Sequence, residues 1–133
     1  MPLAEVITLP VDVANNGTLV NTQANLFEGV PGRKEYHFAA HSFTMRDQLI
    51  FTRSLPKANG NFAGTRKASV KITKDQMVPG VDASTDVKAP GIIEISSSLP
   101  VGFSPSSALE LRQRCIAILD SLLIIDVQEK CEV

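Results

Sequence analysis

The chain has 133 residues, 44% of them hydrophobic and 20% charged, with a formal net charge of -1. That is the size of one domain, residues 1–133, able to bury a modest core, and no run approaches the ~18–20 apolar residues of a membrane span. The near-neutral total hides a split. Residues 33–74 hold nine basic and two acidic side chains, a balance of +7, and the rest hold four and twelve, a balance of -8. Such a split suggests a local surface for a polyanion on an acidic body, although lysines that only solvate an exposed strand would give the same count.

The start, MPLAEVITLP, lacks a basic n-region and a long apolar h-region, so no signal peptide is expected. Residues 5–9 and 18–21 read as short strands joined by a hairpin turn at Asn15-Asn16-Gly17. Residues 27–32 end in Pro31-Gly32 and read as a loop, and residues 35–41 as a third strand. His37 and His41 then share a strand face but stand well apart, with no third ligand and no carboxylate partner in view. Neither a metal site nor a cofactor is expected.

Residues 48–73 carry the strongest pattern. Two strands alternate with period two around a loop containing Pro56 and Asn59-Gly60. Gln48, Ile50, Thr52 and Ser54 share a face opposite Leu49, Phe51 and Leu55. In the second strand Lys67, Ser69, Lys71 and Thr73 oppose Ala68, Val70 and Ile72. The pair predicts a hairpin with one apolar face to cover and one polar, lysine-bearing face left free. Residues 74–90 contain two prolines and a glycine without a regular period and read as a long loop, a place for function or an interface. Residues 91–101 return to a strand, with Ile93, Ile95, Ser97, Leu99 and Val101 on one face and Glu94, Ser96 and Ser98 on the other.

From Ser104 the period becomes helical. Ser107 with Glu110 matches a capping box, and Ser104-Pro105 is a competing start. Ala108, Leu111, Cys115, Ile118 and Leu122 form one stripe. Asp120-Ser121 divides the segment, leaving a short final helix over 122–130. From Cys115 to Val127 ten of thirteen residues are apolar, more than one stripe against one sheet can use, which argues for a second copy of the chain. Cys115 and Cys131 have no metal-ligand spacing and read as free buried thiols. Strands first and helices last make an α+β chain with segregated elements.

This order of elements resembles the coat proteins of single-stranded RNA bacteriophages over nearly the whole chain. The likeness is carried by the N-terminal strand pair, the Ser54-Leu55-Pro56 turn, the Val70-Lys71-Ile72 strand, the long loop before the last strand, and the closing helical tail. The resemblance implies an intertwined homodimer with a continuous ten-stranded sheet, each chain giving an N-terminal hairpin, about five main strands and two helices. Such dimers would assemble into a T=3 icosahedral shell around the genome, in a virion assembled in the host cytoplasm. It implies RNA on the inner sheet face, including an operator stem-loop for translational repression. The matching positions are Ile50, Thr52, Ser54, Lys67, Ser69, Lys71, Glu94 and Ser96. Relatives place an aromatic on the last strand for base stacking, where this chain has Ile92. The loop over 74–90 has no cysteine, so disulfides between subunits there are not expected. Two other readings are a dimeric RNA-binding regulator that does not assemble, and an enzyme. For an enzyme the sequence offers no nucleophile beside a base and no glycine-rich phosphate loop.

Overall fold

The computed structural model describes residues 3–131. The reading of the first ten residues also covers Met1 and Pro2, which lie outside that range. Six strands form one antiparallel sheet in sequence order: β1 (Val6–Val11), β2 (Val20–Val30), β3 (Arg33–Phe38), β4 (Asp47–Ser54), β5 (Thr65–Pro79) and β6 (Asp86–Pro100). Two helices follow, α1 (Pro105–Leu119) and α2 (Leu122–Lys130). The N-terminal pair continues the sheet order, so the chain gives six strands to one sheet. Asp12 holds the β1–β2 turn, accepting from the backbone N–H groups of Asn16 and Gly17 at 3.0 and 2.8 Å.

Two expected loops prove to be mostly strand. Residues 27–30 are strand, because Glu28, Gly29 and Val30 pair with Glu35, Lys34 and Arg33. Only Pro31-Gly32 turns, with Gly32 at φ +87°. A bulge between Leu26 and Glu28 takes up the extra residue, Phe27. The segment 74–90 is mostly ladder as well. β5 runs to Pro79 and β6 starts at Asp86, leaving a tip in which Gly80 N–H donates to the Thr85 carbonyl at 2.9 Å. Pro90 is tolerated because β6 is an edge strand. In both places pairing with a regular neighbour outweighs the loop-like composition.

The chain divides into two compact units, one of the residues up to Pro56 with Arg66–Ser98, the other of Lys57–Thr65 with the chain from Leu99 onward. In the first, alternation places Ala24, Tyr36 and Leu49 on one face as a fully buried core, flanked by Ile7, Leu9, Leu26, Phe38, Phe51 and Val70. Tyr36 meets Phe51 edge-on at 5.7 Å and donates from its hydroxyl to the Ala4 carbonyl at 2.6 Å. Burial pushes its phenol above the usual range.

In the second unit Ser104, not Ser107, caps α1: its Oγ accepts from Ser107 N–H at 3.2 Å, with Pro105 in the first turn. The chain breaks at Asp120-Ser121, and α2 has the expected bounds. Neither helix buries a residue, and the two cysteines, expected to be buried, are free and exposed. Gly64 sits at φ +99°, where a Cβ would lie 2.5 Å from the Lys57 carbonyl oxygen. Gly64→Ala is therefore expected to destabilise the fold by more than the roughly 1–3 kcal/mol of the backbone conformation alone. A lowered denaturation midpoint would show this, and an unchanged midpoint would contradict it.

Candidate nucleic-acid interface

The β4–β5 ladder sets the expected residues directly opposite one another. Ile50 pairs with Lys71, Thr52 with Ser69, and Ser54 with Lys67. Residues opposed in register project to the same face, so these six side chains form three adjacent rows. The Thr52 and Ser69 hydroxyls are hydrogen-bonded to each other. Ser96 joins Thr52, Ser54, Lys67 and Ser69 around a shallow depression of about 400 Å³. Ile50 and Lys71 lie one row beyond it, and Glu94 is exposed on β6, two residues before Ser96. The depression is rich in hydroxyls, and Lys67 and Arg53 both line it: small donors and acceptors, with positive charge beside them, suited to phosphate, ribose or base edges.

The structure also redistributes the charge. Arg33 pairs with Thr52 and so joins the polar face, which its place after an unrecognised two-residue turn had hidden. Lys34 pairs with Phe51 and Arg53 with Ala68, on the opposite face with Lys74. Of the basic residues in 33–74, the polar face therefore holds Arg33, Lys67 and Lys71, together with Arg46. Strand alternation divides a run that is uniform in sequence.

Arg46 is already engaged. Its Nε and Nη2 donate to Asp75 at 3.0 and 3.1 Å, its backbone N–H donates at 2.9 Å, and Asp75 N–H returns a bond to the Arg46 carbonyl at 2.8 Å. The guanidinium and backbone bonds from Arg46 hold the Asp75 carboxyl below its ordinary range. A depressed carboxylate stabilises the fold above its unfolded pKa, and that contribution is lost as pH falls through the lower folded value. Asp75→Asn should thus be less stable than the wild type at pH 7, with the gap closing in acid. Equal urea midpoints at pH 7 would contradict this.

The histidines differ most from expectation. β3 ends at Phe38, and the chain turns so that His41 N–H donates to the Phe38 carbonyl at 3.1 Å. His41 thereby folds back onto His37, ring centroids 3.6 Å apart, and Phe27 stacks on His37 at 4.3 Å, each pair inclined by 18°. A carboxylate is also present, with Glu35 Oε2 3.7 Å from His37 Nε2. Burial and the neighbouring His41 lower the His37 pKa, and Glu35 partly opposes them. Among the described residues no group of three or more His, Cys, Asp or Glu is arranged to hold a metal ion.

Neither a sequence-family model nor a curated protein matches the chain. Solved structures do. The chain is similar to one from the virus-like particle of bacteriophage AVE019, at 19% identity and TM-score 0.73, with 93% of this chain and 92% of that one covered. It is similar to one from the virus-like particle of Beihai levi-like virus 21, at 10% identity and TM-score 0.71, covering 99% and 98%. A third likeness, to the virus-like particle of Beihai levi-like virus 32, has 19% identity and TM-score 0.67 over 83% and 88%. At these identities the shared property is the fold: one antiparallel sheet followed by two helices, matched over almost the full length.

Proposed function

We propose that this chain is the coat protein of a levivirus-like RNA bacteriophage, a single-domain structural protein rather than an enzyme. Two copies form an intertwined homodimer, and dimers assemble into a T=3 icosahedral shell around single-stranded genomic RNA in the host cytoplasm, yielding the virion. The observation that carries the reading is the near full-length likeness to particle subunits. The chain's own surface supports it. Both helices lack a buried residue, although Ile116, Ile118, Leu122 and Leu123 are between 52% and 78% exposed. β6, fifteen residues long, is an open edge carrying Ile93 and Ile95, both exposed. An exposed apolar edge of that length pairs with another chain or aggregates, and the exposed apolar helix residues likewise call for a second copy.

The RNA surface in this reading is the polar face: Ile50, Thr52, Ser54, Lys67, Ser69 and Lys71, with Glu94 and Ser96 from β6. Lysines contact phosphates, hydroxyls contact ribose and base edges, and a captured stem-loop represses translation. The test is expression of the chain alone in bacteria, followed by size exclusion with light scattering after nuclease treatment. With no tryptophan and one tyrosine, the protein absorbs weakly, so strong ultraviolet absorbance in a particle peak reports enclosed RNA. Particles with nuclease-resistant RNA are the expected result. A stable dimer that binds RNA and never assembles would instead identify a regulator.

A further inference from the structure

We propose that the Phe27–His37–His41 stack is a docking platform for an unpaired base of single-stranded RNA. The proposal rests on the RNA-binding reading of the polar face and adds to it a second, non-phosphate contact. Gln48 lies opposite both His37 and Thr73, so His37 belongs to the same face as the lysine rows. Two strand spacings and one pleat repeat put it about 12 Å from Lys71 across the sheet, within the span of a short single-stranded segment.

The bulge at Leu26/Glu28 leaves Phe27 outside the β2–β3 pairing and 63% exposed. One ring face of Phe27 is occupied by His37, whose other face is covered by His41. The His41 ring is itself fixed, because its Nδ1 accepts from Asp47 N–H at 3.1 Å; this also specifies its tautomer and keeps that nitrogen from a metal. The result is a rigid three-ring stack ending in an exposed phenyl. Beside it opens a depression of about 400 Å³ that also holds Phe43, fully exposed, and the polar groups of Ser42 and Gln48. Flat aromatic surface with polar groups at its margin suits a nucleobase, which presents a π-face and a hydrogen-bonding edge.

Charge favours the same occupant. Arg33, 3.7 Å from Glu35, and Lys71, in Glu35's row across β4, flank the approach to the stack as phosphate partners. Glu35 itself can accept from the exocyclic amino group of a base. On the last strand Ile92 offers no ring, so the stack is where this face can hold a base by its plane.

Phe27→Trp supplies the test, because it introduces the chain's sole tryptophan. Fluorescence is followed in the dimer during titration with a single-stranded oligoadenylate and with an abasic oligomer of equal length. Phe27→Ala is compared with the wild type by filter binding across a salt series. The expected results are quenching of the Phe27→Trp indole by the oligoadenylate alone, and about 5- to 100-fold weaker oligoadenylate binding in Phe27→Ala at an unchanged salt slope. Equal quenching by both oligomers, or affinity of Phe27→Ala within twofold of wild type, would overturn the platform and leave the lysine rows standing. Fluorescence change on dimerisation without RNA would assign the stack to a protein contact and also overturn it. A wild-type chain that binds no RNA would remove the reading beneath both.

Discussion

Ile118→Glu and Leu122→Glu are each expected to abolish dimers and particles. Ile118 lies on the apolar stripe of α1 and Leu122 opens α2, and they are 52% and 78% exposed in the single chain. Burying such a side chain against a partner contributes roughly 1.5–3 kcal/mol. Replacing it with a carboxylate removes that contribution and adds the cost of an unpaired charge in an apolar contact, several kcal/mol more. Two-fold symmetry presents every substitution twice. Light scattering should find monomer or aggregate, and negative-stain images should show no shells. Dimers and shells at wild-type yield would mean that the helices do not join two chains.

The second large effect is expected on RNA. Lys67→Ala and Lys71→Ala together should leave the dimer intact, since Lys67 is exposed and neither lysine belongs to the buried core. If each contacts one phosphate, losing both should flatten the dependence of log affinity on log salt by about 1.4, the single-strand value of ~0.7 per contact. Particles of the double variant should hold less RNA. Filter binding unchanged from wild type across the salt series would show that RNA does not lie on this face. The basic side chains of the opposite face, Arg53 and Lys74 among them, would then be the next candidates.

The parts legible in sequence were those where local chemistry and tertiary pairing agree. Alternation over β4 and β5 gave the face of Thr52, Ser69 and Lys71, because a one-residue slip would turn Leu49 and Phe51 away from the core, whereas the partners they meet are set by the ladder. Asp120-Ser121 marked the helix break, since Ser121 caps poorly into a continuous helix and here bonds back to the Ile118 carbonyl at 2.7 Å. Illegible were the places where a neighbour decides. Pro31-Gly32 and Pro79-Gly80 suggested wide loops, yet a paired strand runs up to each of them. The stack at His37 arises from a bulge and a turn, neither visible in a spacing of four. Counting charge along the chain also merged the two faces of β3 and β5, which the pleat separates.

Electron cryo-microscopy of particles formed by the chain alone tests the account most directly. The prediction is a closed shell of dimers with α1 and α2 of paired chains packed together outside, and nucleic-acid density inside against Thr52, Lys67, Ser69 and Lys71. Shells with the helices turned toward the RNA, or no shells from a folded dimer, would contradict it.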